Sequence, residues 1–275
     1  FDLMGLIDRQ TMDAVVAALR AVRPDILLYG EPWVGGETPI NITAKGAQQG
    51  AGCGCFNDHY RDAIAGNVFS DEPGYCLDGR NRDEVRRGLA GGLEWFADAP
   101  RESVNYVECH DNRTLRDKLA DGIRTHLPRF GAADAIAADR LAAFLLFMAQ
   151  GVPFIQMGQE FYRSKFGAHN SYDGGDAVNN VDWSDKQTYG GLYRYYRGLV
   201  ALRRAHPLLR LRTREEVERR LFFGVVKPPY LVVELDGEHM QETWRRALLL
   251  INPEPEIFRY ALPEAERDWQ VFVAA

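Results

Sequence analysis

Long apolar runs, paired cysteines and a dominant charge are all missing from this chain. No hydrophobic stretch approaches the roughly 18–20 residues that cross a bilayer, so no membrane partner is expected. The net charge is −6 and no basic stripe interrupts the mildly acidic balance, which gives no support to a nucleic-acid partner. Four cysteines occur: Cys53, Cys55, Cys76 and Cys109. The Cys53-Gly54-Cys55 pair has no companion at zinc-like spacing, and the histidines do not cluster near it. These read as ordinary free thiols and no metal site is assigned. They lean the localisation towards cytoplasmic over secreted. Neither a glycine-rich dinucleotide fingerprint nor a phosphate-binding loop is present, and no internal repeat stands out.

A conventional start and finish are missing too. The chain opens directly on Phe1-Asp2-Leu3-Met4-Gly5 and stops in the strand-like Val271-Phe272-Val273. It is expected to be an excerpt of a longer protein, so an absent targeting signal says nothing about compartment.

What is present is an alternation of strand and helix. Phe1–Met4 reads as the tail of a strand. Asp8 is placed to cap a helix whose apolar stripe is Met12, Val15, Val16 and Leu19, running to Val22 and closed by Pro24. The apolar run Ile26–Tyr29 is too short for a helix and fits a buried strand ending at Glu31. Strand, helix, strand in this space is one unit of a parallel sheet. Cys55–Ile64 passes from a short strand into a helix, and a further helix is expected over Glu84–Phe96. Val104–Val107 reads as a strand leading into Cys109-His110-Asp111-Asn112. A long helix over Ala132–Gln150 precedes a strand at Val152–Met157, and Tyr189–Ala205 reads as an amphipathic helix. Beyond His206-Pro207 the pattern changes to short strands, Leu221–Val226, Tyr230–Leu235 and Ala247–Ile251, without helices between them. The expected class is therefore α/β over residues 1–206, followed by a small antiparallel, β-sandwich-like domain over residues 207–275. Polar residues recur at the carboxyl ends of the strands. That, with the missing nucleotide motifs, favours half of a (β/α)8 TIM barrel over a doubly wound sheet.

Three strand ends carry acids: Asp2, Glu31 and Asp111. In one parallel sheet they would converge on one face. Two carboxyl groups about 5–5.5 Å apart are what retaining glycoside hydrolysis requires, one attacking the anomeric carbon and the other holding a proton for the leaving oxygen. A third would favour the positive charge that develops on the ring. Trp33 and Tyr172 suit a sugar, whose pyranose ring offers an apolar face for stacking.

At these residues the chain resembles a known family. Phe1-Asp2-Leu3-Met4-Gly5, Gly30-Glu31-Pro32-Trp33 and Asn105-Tyr106-Val107-Glu108-Cys109-His110-Asp111-Asn112 are similar to three signature regions of α-amylase-type glycoside hydrolases, and the wording is nearest the type I pullulanases. Phe56-Asn57-Asp58, Thr114-Leu115, Gln156–Phe161 and Asn170-Ser171-Tyr172 with Asp176, Asn179, Asp182 and Trp183 are similar to that subgroup as well. The resemblance covers most of residues 1–206. It implies Asp2 as nucleophile, Glu31 as general acid/base and Asp111 as transition-state stabiliser, with His110 bonding the sugar. Trp33, Asn112, Tyr172, Asp176 and Asn179 fall where the subgroup touches substrate. Glu31 must then be protonated when substrate binds, in an environment that disfavours its charge, to which Trp33 is expected to contribute.

The resemblance also shows what this stretch does not contain: an Arg two positions before the nucleophile, and the earlier barrel strands with their Asn-His motif. The expected partners are an α-glucan and the missing amino-terminal half of the barrel, without which the fragment is expected to be poorly stable. The expected activity is hydrolysis of α-1,6 branch linkages in pullulan, starch or glycogen. An α-1,4-acting amylase or neopullulanase-type enzyme, or a non-catalytic glucan-binding protein, stand as alternatives. No cofactor is required for this chemistry; calcium binding is not readable from the residues.

Overall fold

The computed structural model describes residues 1–264 and 268–273. Helix α1, Arg9–Val22, begins where Asp8 Oδ1 accepts the Thr11 N–H at 2.8 Å, and it buries Met12 and Val16. The capping role assigned to Asp8 is thus met. The chain then forms β1 (Tyr29–Gly30), β2 (Gly54–Phe56), α2 (Asp58–Ala65), α3 (Tyr75–Asp78), α4 (Arg82–Leu89), β3 (Ser103–Asn105), α5 (Leu115–His126), α6 (Ala132–Met148) and β4 (Val152–Pro153). After a long loop come α7 (Asp176–Asn179), α8 (Asp185–Thr188), α9 (Gly190–Ala205), α10 (Arg214–Arg220), β5 (Leu221–Phe223), β6 (Leu231–Asp236) and β7 (Arg246–Ile251). Among the described residues no helix is long and apolar enough to cross a membrane.

Strands β1 to β4 form one parallel sheet in sequential order, with no reversal of direction or order among them. The antiparallel region is a separate sheet of β5, β6 and β7. Within the described residues it is a single sheet, not the two facing sheets of a sandwich.

Several elements are shorter than their sequence suggests, for identifiable reasons. Proline offers no backbone donor, so β1 stops short of Pro32 and β4 stops at Pro153. The helix expected to reach Phe96 ends at Leu89, because Gly91 and Gly92 take φ of +85° and +69° and turn the chain out of the helix. Phe1–Met4 is not a strand. Phe1 alone makes strand-like bonds, its amine donating to the Tyr29 carbonyl and its carbonyl accepting from Glu31 N–H. Leu3 then enters the left-handed region at φ +48° and a 3-10 turn follows over Met4–Leu6. The longest helix without a counterpart in the sequence reading is α5, capped by Thr114, whose Oγ1 accepts the Asp117 N–H.

Buried polar bonds tie the layers together. Asn57 caps α2 through Oδ1 and donates through Nδ2 to Ser103 Oγ and Asn105 Oδ1. Asn105 in turn donates to the Gln150 carbonyl, and the Gln150 side chain bonds Leu208 and Leu211. Buried Arg203 on α9 donates to the carbonyls of Phe147, Ala149 and Gly151, satisfying the open end of α6. One apolar core reaches from Met12 and Leu89 through α6 to Val233 and Ile251 in the antiparallel sheet.

Candidate active site

The first five residues wrap around Glu31. Its N–H donates to the Phe1 carbonyl at 2.9 Å, its carbonyl accepts from Gly5 N–H at 2.8 Å, and its Oε2 accepts from Leu3 N–H at 3.1 Å. This embrace needs two glycines. A Cβ on Gly30 would stand 2.6 Å from the Phe1 carbonyl oxygen, and one on Gly5 would stand 2.2 Å from that of Trp33. The wrap brings Asp2 to Glu31 from outside the sheet. A carboxylate oxygen of each and a ring nitrogen of His110 all lie within 4.8 Å of one another.

Glu31 is only 6% exposed, whereas Asp2, His110 and Asp111 are exposed. Burial pushes the Glu31 carboxyl above its ordinary range, and the hydrogen bond and negative charge of Asp2 push it the same way; the Leu3 N–H and His110 oppose them. A buried carboxyl group whose proton is favoured, beside an exposed second carboxyl group, is a pairing suited to acid and nucleophile roles. These three side chains are also the donors among the described residues close enough together to hold a cation.

Asp111 reaches this group through His110, whose Nε2 is 3.5 Å from Asp111 Oδ1 and 3.8 Å from Glu31 Oε1. Asp111 is not at a strand end: β3 finishes at Asn105, and both residues stand on the loop that runs from Glu108 to α5. Asn112 on the same loop is half-buried at φ +58°. Trp33 packs with Tyr29 and Phe154 on the cluster of Phe56, Val104 and Tyr106, and the Lys45 ammonium stands 5.2 Å above its ring.

The remaining sequence candidates sit on the loop after β4. Tyr172 is 84% exposed. Asp176 and Asn179 open and close α7. Asn179 donates from Nδ2 to the Ser171 carbonyl, and its own carbonyl accepts from Arg163 at 2.7 Å. Their hydrogen bonds therefore shape this loop rather than reach the carboxylates. Glu160, in the stretch Gln156–Phe161, accepts from Gly158 N–H within its own turn.

Three residues that bear on this geometry went unread in the sequence. Glu108, fully buried, accepts the Leu115 N–H with one oxygen and leaves the other unpartnered. Asp117 accepts from Ser164 and from the Lys165 N–H, and the Lys165 ammonium donates to the His110 carbonyl at 3.0 Å. The Thr114-x-x-Asp117 spacing, a cap followed by an acid three residues on, was a signal for the start of α5.

No protein-family model matches the chain. Its sequence is 36% identical over 274 residues to a pullulanase of Bacillus subtilis (strain 168), a match that covers 96% of this chain and 38% of that protein. A pullulanase from Paenibacillus barengoltzii, solved in complex with maltohexaose and α-cyclodextrin, superimposes with a TM-score of 0.90 at 36% identity, covering 96% of this chain and 42% of that one. A pullulanase from Bacillus acidopullulyticus gives a TM-score of 0.87 at 38% identity, over 92% of this chain and 31% of that one. The chain thus spans about two-fifths or less of the length of these relatives.

Proposed function

Because the chain is homologous to a part of the type I pullulanases, we propose that it carries the reacting groups of a retaining glycoside hydrolase that cleaves α-1,6 branch linkages in α-glucans such as pullulan, starch or glycogen. The observation that carries this reading is the approach of Asp2 to Glu31 within 4.8 Å. With their nearest oxygens inside that limit, the two groups fit the close pairing of retaining enzymes, about 5–5.5 Å between carboxyl groups, better than the roughly 6.5–9.5 Å that leaves room for an attacking water. Asp2 attacks the anomeric carbon as the bond to the leaving oxygen breaks, and Glu31 gives that oxygen its proton. Glu31, now ionised, takes a proton from water, whose oxygen displaces Asp2 and releases the sugar. Asp111 stabilises the cationic ring, and His110 bonds the sugar. Trp33, Asn112, Tyr172, Asp176 and Asn179 complete the glucan surface. Two carboxyl groups carry the reaction, and it needs no cofactor.

The proposal extends to architecture. The sequential order of the four parallel strands supports a segment of a (β/α)8 barrel over residues 1–206 and a β-domain over 207–275. The full-length protein, with the rest of the barrel, is the form in which activity is expected.

The test is product analysis with pullulan, running the full-length protein beside its Glu31→Gln variant. Maltotriose formed only by the unaltered protein supports α-1,6 cleavage. Panose-type products move the assignment to α-1,4 linkages. Glucan binding without turnover leaves a non-catalytic binding protein.

A further inference from the structure

The loop from Cys109 to Thr114 carries His110 and Asp111, yet both side chains are exposed. What holds it is a polar clamp from beneath. At its root Glu108, in the connection that leaves β3, accepts the N–H of Leu115, the first residue of α5. At its middle Lys165, only 2% exposed, extends from the loop after β4 and donates to the His110 carbonyl at 3.0 Å. Lys165 is itself anchored: its N–H donates to Asp117 Oδ2 at 2.7 Å, while Ser164 Oγ donates to Asp117 Oδ1 at 2.6 Å. Asp117 stands in the first turn of α5, fixed by the Thr114 cap. The clamp therefore closes on the same helix that ends the loop.

We propose that Lys165 is a positioning residue that sets His110 and Asp111 against Glu31 by holding the His110 carbonyl. Burying an ammonium is unfavourable unless it is paired, and burial does lower the Lys165 pKa, with Arg163 acting in the same direction. An apolar side chain would fill this space without that cost. The ammonium instead donates to the backbone of a residue whose ring nitrogen stands 3.8 Å from Glu31. A shift of about 1 Å at such a place costs roughly a hundredfold in rate.

This inference rests on the reading of Asp2 and Glu31 as the reacting pair, so the test separates the two. In the full-length protein, Lys165→Met is compared with Ser164→Ala, Glu31→Gln, His110→Ala and the His110→Ala/Lys165→Met double variant, using pullulan as substrate. Lys165→Met is expected to lower kcat about 10- to 100-fold with a smaller rise in KM, since the loop carrying His110, Asp111 and Asn112 shifts while the rest of the glucan surface stays in place. Ser164→Ala, which keeps the lysine and loosens its anchor, is expected to lose severalfold and guards against a Lys165→Met variant that fails to fold. In the His110→Ala background, Lys165→Met is expected to cost less than in the unaltered protein, because the part of its effect that passes through the His110 side chain is already lost and only the part through Asp111 remains. A fully additive double variant, or wild-type kcat in folded Lys165→Met, overturns the inference and leaves the reacting pair standing. Undiminished activity in Glu31→Gln overturns the underlying assignment instead.

Discussion

The roles proposed for Asp2 and Glu31 rest on the unequal exposure of two like groups. Glu31 sits in the sheet's end with its oxygen on the Leu3 N–H, while Asp2 stands in solvent on the segment that covers it. Replacing Glu31 by Gln removes the transferable proton and is expected to lower kcat/KM on pullulan by about 10²–10⁴-fold. His110 lowers the Glu31 pKa, opposing the effects of burial and Asp2. His110→Ala should therefore raise that pKa and move the alkaline limb of the kcat/KM profile to higher pH, whatever it does to the rate. A limb that stays in place or moves to lower pH would contradict the coupling. At this scale Glu31 was legible in the sequence: an acid between Gly30 and Pro32 after an apolar run marks the end of a buried strand. The source of its raised pKa was less so. Burial is the largest effect, followed by the hydrogen bond from Asp2.

Among the elements, close approach decides more than hydrophobic pattern. Gly5 and Gly30 let the Phe1–Leu6 segment lie against β1, and only that contact sets Asp2 beside Glu31. Gly5→Ala places a methyl 2.2 Å from the Trp33 carbonyl oxygen, so the segment must move. The expected result is a loss of about 1–3 kcal/mol in unfolding free energy and roughly a hundredfold in kcat, read by urea denaturation and pullulan turnover. Gly88→Ala offers the contrasting case. Its added carbon would fall 1.9 Å from the Tyr60 ring between α4 and α2, far from the reacting groups. It should destabilise by a similar or larger amount while turnover per folded molecule stays near normal. The strand at Phe1–Met4 was misread because a left-handed Leu3 leaves no mark in composition. Helix α5 was passed over because its short capped start follows a loop dense in polar residues.

The whole molecule carries buried acids that bind protons. Burial pushes Glu108 up to about 8 from an ordinary 4.5, and Asp139, which accepts from the Tyr196 hydroxyl, up to about 7 from 3.8. Below pH 4 each is protonated whether the chain is folded or not. Between their ordinary and folded values the folded state keeps protons that the unfolded state has released, so stability falls as pH rises through this window to about 8. The melting temperature is expected to drop across it. Glu108→Gln, which keeps an acceptor for Leu115, should flatten the decline, and an unchanged slope would mean that Glu108 is ionised when folded. Because both groups lie in the interior that joins the helices to the sheet, the effect belongs to the fold as a unit.

Taken by itself, the sequence determined the alternation of strand and helix, the capping of α1 by Asp8 and the parallel character of the first region, and it singled out the candidate acids. Each depends on local spacing or on the chemistry of one side chain. The tertiary structure alone decided that Asp2 meets Glu31 from a turn rather than a strand, that Asp111 reaches the pair through His110 on a loop, and that Glu108, Asp117 and Lys165 are drawn inside to hold that loop. A charged residue in a sequence reads as solvent-exposed by default. Only the packing of distant segments shows when water has been replaced by a carbonyl, a carboxylate or a backbone N–H, and with it where each group stands and which protons it holds.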